Sequence, residues 1–210
     1  MKTRLLIADD HLLFREGIRV LLPPEEFAVV AEAEDGREAV RLAQHHQPDI
    51  AIVDVSMPGL NGVDATREVL RASPRSKVFI LTMHRERPYV IEALRAGARG
   101  YALKTQPASE VLGALREVAR GGVYVPPDYW PAIVESQQNG RRPEVDPLSP
   151  REREVLQLIA EGMTTKAIGG ALNISFKTAE SHRMRIMAKL DIHETASLVR
   201  YAIRNRLIQA

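Results

Sequence analysis

The chain contains no cysteine, which excludes disulfide bonds, zinc–thiolate sites and thiol catalysis. No apolar run approaches membrane-spanning length, and charges follow the first few apolar residues too soon for a secretory leader. A soluble cytoplasmic protein without membrane contact is therefore expected. The 210 residues suit one large domain or two small ones, and the apolar share of 45% is ordinary for a globular protein.

A strong overall charge is also absent, because the net charge is only +2. The charge is unevenly distributed along the chain. Residues 1–121 carry 17 basic and 17 acidic side chains, residues 122–147 carry 2 and 4, and residues 148–210 carry 10 and 6. The last third therefore has a net charge of +4, which indicates a nucleic-acid partner, although a solvated surface can carry the same charge.

Short apolar runs alternate with helical patterns over the first 121 residues. Strands are expected at 4–8, 27–31, 49–53, 78–81 and 100–103, and helices at 12–22, 36–46, 63–70, 88–96 and 107–120. Five such units predict a parallel sheet that is covered by helices on both faces.

Polar groups follow four of these strands: Asp9 and Asp10, Asp54, Thr82, and Lys104. Each alone could be a cap or a solvated surface residue. In open parallel sheets, however, functional groups lie beyond the carboxyl ends of the strands, so one edge would gather all five. Clustered carboxylates repel one another, so either one is protonated or a cation is bound. Mg²⁺, with its preference for oxygen ligands, would satisfy this requirement.

The set of polar residues, the segment DVSMPGLNG and the aromatic Tyr101 resemble the receiver domain of two-component response regulators. The resemblance spans about 120 residues and implies a flavodoxin-like, five-stranded parallel fold. It assigns Asp54 as the phosphorylation site, which accepts a phosphoryl group from a cognate sensor histidine kinase. It assigns Mg²⁺ to Asp10, Asp54 and the backbone carbonyl of Ser56, with Asp9 acting through a metal-bound water.

The resemblance also assigns a switch. Lys104 would pair with the phosphoryl group, and Thr82 would donate a hydrogen bond to it. Movement of Thr82 would let Tyr101 turn inward and change the adjacent face of the domain. Ser56 and His84 occupy positions that influence the lifetime of the acyl phosphate in this family.

Residues 122–147 are expected to form a connector. A short helix at 128–136 would pack on the first domain, and the nearly apolar-free stretch 137–147 would be an exposed linker.

The remaining residues, 148–210, show no strand pattern and predict four helices, at about 150–161, 164–172, 175–190 and 194–207. The second and third form a helix-turn-helix. The segment LSPREREVLQLIAEG, Thr178, His182 and Lys189–Leu190 resemble the DNA-binding domain of the LuxR/NarL (FixJ) family. Two adjacent glycines, Gly169 and Gly170, are expected to weaken the second helix.

The expected contacts to double-stranded DNA are Thr165, Lys166, Lys177, Thr178, Ser181, Arg185 and Lys189. Those near the start of the third helix would meet base edges, whereas Lys189, near its end, would lie over phosphates.

These observations predict a phosphorylation-dependent DNA-binding transcriptional regulator, not an enzyme, that forms a homodimer on inverted half-sites. An aspartyl-phosphate phosphohydrolase would need a second aspartate at Ser56. A receiver that acts only through protein contacts is disfavoured by the basic helix-turn-helix. A phosphorylation-independent DNA-binding regulator is disfavoured by the complete acidic set.

Overall fold

The computed structural model describes residues 2–138 and 147–208. The chain divides into two compact units, Met1–Gly140 and Arg141–Ala210, and each has its own apolar core. The first unit combines a sheet with helices. The described part of the second consists of helices and their connections, as expected from the sequence. Within the described residues, no helix has the length and apolar character needed to cross a membrane.

A parallel sheet forms the centre of the first unit. Its strands are β1 (Thr3–Ala8), β2 (Phe27–Ala33), β3 (Ile50–Val53), β4 (Lys77–Thr82) and β5 (Gly100–Leu103). Their order is β2-β1-β3-β4-β5, and every pairing is parallel. This order is that of the flavodoxin-like fold, which the resemblance implied. The central strand β3 is buried along its whole length, which explains its uninterrupted apolar sequence.

Five helices cover the two faces of the sheet. They are α1 (Leu12–Leu21), α2 (Gly36–His46), α3 (Gly62–Ala72), α4 (Arg87–Ala96) and α5 (Ala108–Ala119). Successive strand residues point to opposite faces and join separate cores: Val53 belongs to one and Ile52 to the other. The five strands and five helices expected at residues 4–120 all begin and end within two residues of the observed boundaries.

The register of the sheet brings the strand ends together. Ala8 pairs with Val53, Val53 with Ile80, and Thr82 with Leu103. The residues that directly follow β1, β3 and β5 therefore emerge at the same edge. This register is what assembles the polar groups named above into one site.

The connector begins by extending the sheet. The backbone N–H of Tyr101 donates to the carbonyl of Tyr124 (2.9 Å), and the N–H of Tyr124 donates to Arg99 (2.9 Å). A 3₁₀ turn, Pro127–Tyr129, and a helix, α6 (Trp130–Gln138), follow, and α6 packs on α4. The expected short helix is thus present. Most of the expected linker, residues 139–146, lies outside the described residues.

The second unit contains the four expected helices. They are α7 (Pro150–Ala160), α8 (Thr165–Ala171), α9 (Phe176–Leu190) and α10 (Thr195–Arg204). Helix α10 ends three residues earlier than expected, because Arg206 adopts a left-handed conformation with φ of 58°.

The two glycines of α8 have different surroundings. A Cβ added at Gly169 would lie 3.0 Å from the carbonyl oxygen of Ile174, in the turn before α9, whereas one added at Gly170 would meet nothing within 4 Å. Close packing therefore explains Gly169. The structure offers no such reason for Gly170.

Candidate functional site

The edge of the sheet holds a buried cluster of opposite charges. The Nζ of Lys104 lies 2.6 Å from Oδ2 of Asp9 and 2.9 Å from Oδ2 of Asp54. Asp9 and Asp54 are only 2% and 4% exposed, whereas Asp10 is exposed. One ammonium group thus faces two buried carboxylates at the bottom of the site.

The backbone around Asp54 is tightly held. The N–H of Asp54 donates to the carbonyl of Ala8 (2.9 Å), and its Oδ1 accepts a hydrogen bond from the N–H of Val55 (2.7 Å). The other oxygen, Oδ2, faces Lys104. A side chain at Gly62 would overlap the backbone carbonyl of Asp54, so only glycine allows α3 to begin this close to the site.

Lys104 is fixed by more than the two carboxylates. Its Nζ lies 4.4 Å from the centroid of the Phe14 ring, which adds a cation–π contact. Burial of the ammonium group acts to lower its pKa, but the charges and hydrogen bonds of Asp54 and Asp9 outweigh this and raise the pKa of Lys104. The side chain therefore remains a cation at neutral pH.

The acidic cluster also suits a metal ion. Ligand atoms of Asp9, Asp10, His11 and Asp54 lie within 4.8 Å of one another. Three of these residues offer carboxylate oxygens, the ligands that Mg²⁺ prefers. The sequence interpretation did not include His11, whose Nδ1 lies 2.7 Å from Oδ1 of Asp10. Its position directly after the acidic pair was the signal that could have identified it.

The predicted switch residues lie on one side of this cluster. Thr82 is buried at the end of β4, and its Oγ1 accepts a long hydrogen bond, 3.4 Å, from the N–H of His84. Tyr101 is fully buried, and its hydroxyl donates to the carbonyl of His84 (2.9 Å). Burial raises the pKa of the Tyr101 phenol. Tyr101 was expected to turn inward on phosphorylation, yet it already lies inside the domain here.

Four of the expected DNA contacts lie on one face of α9. Lys177, Thr178, Ser181 and Arg185 are all exposed and follow helical spacing. The opposite face carries the buried Ala179 and Ile186. Ser175 caps the start of the helix, since its side chain accepts a hydrogen bond from the N–H of Thr178 (3.1 Å).

The other three expected contacts have different surroundings. Lys166 is exposed on α8, and Thr165 is half-buried at its start. Lys189 forms an ion pair: its Nζ lies 2.6 Å from Oε2 of Glu152, a nearly buried residue at the start of α7.

Glu152 also closes the capping box of α7, since its Oε2 accepts from the N–H of Ser149 (2.7 Å). Burial acts to raise the pKa of Glu152, but the hydrogen bonds from Lys189 and Ser149 prevail and lower it to about 2. Lys189 therefore has a structural role that the sequence did not reveal.

Sequence reasoning also missed an apolar side chain on the exposed face of α9. Met184 is 59% exposed and follows Ser181 by one helical turn. The same spacing argument that selected Ser181 could have identified it.

The two units match two family models. Residues 5–116 match the response regulator receiver domain, and residues 146–202 match the bacterial regulatory proteins of the luxR family. Together these matches cover most of the chain.

Relatives align along nearly the full length. The transcriptional regulatory protein DegU of Brevibacillus brevis is 37% identical, with 97% of this chain and 94% of DegU covered. The oxygen regulatory protein NreC of Staphylococcus carnosus is 38% identical, with 98% and 99% covered. A structure of RcsB from Salmonella enterica serovar Typhimurium, bound to promoter rprA with phosphomimetic BeF₃⁻, has a TM-score of 0.59 at 28% identity, with 96% and 98% covered.

The order of the two matched domains agrees with the two units of the structure. The first contains the buried acidic site, and the second contains the helix-turn-helix. The chain belongs to the LuxR-type two-component response regulators, in which a receiver domain precedes a DNA-binding domain.

Proposed function

We propose that Asp54 is the residue through which this transcriptional regulator receives its signal. The observation that carries the proposal is the burial of Asp54 beside Lys104, with a second carboxylate, Asp9, on the same ammonium group. An oxygen of Asp54 attacks the phosphorus of a phosphohistidine on a cognate sensor kinase. The phosphorus–nitrogen bond breaks, and the electron pair leaves with the imidazole nitrogen.

Lys104 compensates the charge that arrives with the phosphoryl group. Its ammonium is already in place, so little reorganisation accompanies the transfer. Thr82 stands at the end of β4, where its hydroxyl can donate to a phosphoryl oxygen. Tyr101 completes the switch by filling the space beside Thr82.

The acidic cluster supports a Mg²⁺ site made of Asp9, Asp10, Asp54 and the backbone carbonyl of Ser56. When bound, Mg²⁺ would neutralise negative charge on the phosphoryl oxygens. The donor set fits this ion, because the carboxylates outnumber the single ammonium group that faces them.

Labelling with a small phosphoryl donor tests the assignment. Acetyl phosphate should add one phosphoryl group to the full-length protein in the presence of Mg²⁺, and EDTA should abolish the addition. Asp54→Asn should remain unlabelled, whereas Asp128→Asn, at an acid in the connector, should be labelled normally. Intact-mass spectrometry measures each result. Continued labelling of Asp54→Asn at a single site would overturn the assignment.

For the second unit, the proposed contacts to double-stranded DNA are Thr165, Lys166, Lys177, Thr178, Ser181, Arg185 and Lys189. The exposed polar face of α9 supports four of these contacts, Lys177, Thr178, Ser181 and Arg185. A helix that enters the major groove exposes one such face to base edges and phosphates. Binding as a homodimer on inverted half-sites would follow from two-fold symmetry.

The proposed domains are a receiver at 1–121, a connector at 122–147 and a DNA-binding domain at 148–210. The matched family segments, 5–116 and 146–202, support the two outer domains, and the first compact unit, which ends at Gly140, also includes the described part of the connector. The proposed compartment is the cytoplasm, where a kinase and promoter DNA are both accessible.

A further inference from the structure

One loop lies between the acidic site and the connector. It joins β4 to α4 and contains His84 and Arg85. On the side of the acidic site, Nε2 of His84 lies 2.7 Å from Oγ of Ser56, which follows Asp54 by two residues. The His84 ring stacks on Tyr89 of α4, with centroids 4.1 Å apart. The loop is therefore attached to the segment that carries the phosphorylation site.

The same loop is held from the other side by two tyrosines. The hydroxyl of Tyr101 donates to the backbone carbonyl of His84 (2.9 Å). The hydroxyl of Tyr129, in the connector, donates to the carbonyl of the next residue, Arg85 (2.9 Å). The rings of the two tyrosines meet edge to face, with centroids 6.1 Å apart. The connector thus covers Tyr101 and contacts the loop directly.

Further contacts hold the connector against the core that surrounds Tyr101. Val125, Tyr129 and Ile133 are buried in the same core as Tyr101. At the end of α6, the hydroxyl of Ser136 accepts a hydrogen bond from Arg95 (2.9 Å). An inward Tyr101 and a docked connector therefore support each other.

We infer that His84 is a positioning residue that couples the phosphorylation site to the docking of the connector. The inference rests on the proposed function of Asp54. His84 transmits displacement of the Ser56 segment to the loop carbonyls that Tyr101 and Tyr129 bind. Because an inward Tyr101 fills the space that Thr82 leaves as it moves toward the phosphoryl group, docking and phosphorylation favour each other. Coupling of this kind is reciprocal.

Binding of beryllofluoride to the full-length protein tests the coupling. With Mg²⁺ present, ¹⁹F NMR measures the concentration for half-saturation. Tyr129→Ala should raise this concentration at least about 5-fold, the lower end of usual coupling between sites. Tyr124→Phe is the matched control: it removes a connector hydroxyl that meets Gln106 rather than the loop, and should change the value less than about 2-fold.

The role of His84 is isolated by a double-mutant cycle. In a His84→Ala background, Tyr129→Ala should have less than half of its effect on half-saturation. Conversely, beryllofluoride should slow amide hydrogen exchange in residues 124–133 of the wild-type chain but not of His84→Ala. Equal effects of Tyr129→Ala in both backgrounds would overturn the inference, and so would the absence of any effect.

Failure of the proposed function has a different signature. Beryllofluoride would then fail to bind the wild-type chain, or would bind Asp54→Asn equally well. Normal binding that depends on Asp54, combined with no change on Tyr129→Ala, would overturn only the coupling. Arg95→Ala, which loosens the far end of α6, gives a second means of undocking and should act in the same direction as Tyr129→Ala.

Discussion

The acidic site and helix α9 hold their proposed functional side chains in opposite ways. At the acidic site, Asp9 and Asp54 are buried, and both pair with Lys104, whose side chain is only 6% exposed. On α9, Lys177, Ser181 and Arg185 are exposed and follow helical spacing. The first arrangement is organised before any ligand arrives. The second would acquire its partners from DNA under the proposed function, so its geometry would be completed only in the complex.

The difference predicts that removing a charge disturbs stability strongly at the acidic site and weakly on α9. Lys104→Met leaves two buried carboxylates without their cation, and should lower the free energy of unfolding of the receiver by about 3 kcal/mol. Mg²⁺ should restore part of this loss by binding the same carboxylates. Urea unfolding with and without Mg²⁺ measures both effects.

The exposed Lys2 provides the control, since Lys2→Met should alter stability by less than about 0.5 kcal/mol. If Lys104→Met also changed stability by less than about 0.5 kcal/mol, a buried charge at the acidic site would contribute no more to stability than an exposed one.

The DNA-binding unit contains one group that resembles the acidic site rather than α9. The pKa of Glu152 is lowered to about 2, so the ionised carboxylate stabilises the folded state. This contribution is fully present above about pH 5 and is lost as the pH falls toward 2, since protonation occurs first in the unfolded chain.

Glu152→Gln should therefore destabilise this unit by about 2 kcal/mol at pH 7 and by much less at pH 2.5. Thermal unfolding followed by circular dichroism at the two pH values measures the difference. Glu180→Gln, at a half-buried acid of α9, is the control, and an equal pH dependence of the two variants would contradict the assignment.

On α9 the expected losses concern DNA affinity. Ser181→Ala or Lys177→Ala should cost roughly 1–3 kcal/mol on the preferred site and much less on random DNA. Fluorescence titrations measure the affinity of each variant for both DNAs. Equal losses on the two DNAs would place these side chains on phosphates instead.

Lys189 combines the two kinds of arrangement, because it pairs with the buried Glu152 and is also an expected phosphate contact. Lys189→Ala should weaken binding to all sequences alike and reduce the salt slope by about one unit. It should also destabilise the second unit, unlike Ser181→Ala. Loss of sequence preference with random-DNA affinity intact would show that the orientation of α9 is wrong.

The smallest expected effect distinguishes the two glycines of α8. Gly170→Ala should stabilise the second unit by about 0.5–1 kcal/mol, because the position is helical and open. Gly169→Ala should give no such gain, since its Cβ would press on the carbonyl of Ile174. Urea unfolding of the two single variants measures the difference in stability. An equal increase for both would mean that the turn before α9 moves to accommodate the added methyl group at no cost.

The sequence predicted the residues that gather at the strand ends, but not the side-chain contacts made elsewhere in the two units. Alternating apolar runs determined the strand ends, so Asp54 and Lys104 could be placed together before their distance was known. The Glu152–Lys189 pair joins residues 37 apart on two helices, and no local pattern reveals such a contact. Tyr101 was expected to lie inward only on phosphorylation, and the sequence did not reveal that its inward ring meets Tyr129 of the connector. Side-chain contacts that do not follow from the order of the strands, such as these two, could not be predicted from the sequence.

The backbone pairing of Tyr124 with β5 also affects the tendency of the receiver to aggregate. An uncovered strand edge offers free N–H and C=O groups to other chains and promotes aggregation. Here Tyr124 occupies part of that edge, and α6 covers the apolar surface beside it. A receiver fragment cut at residue 121 would uncover both, and should self-associate more readily than one that continues to residue 138.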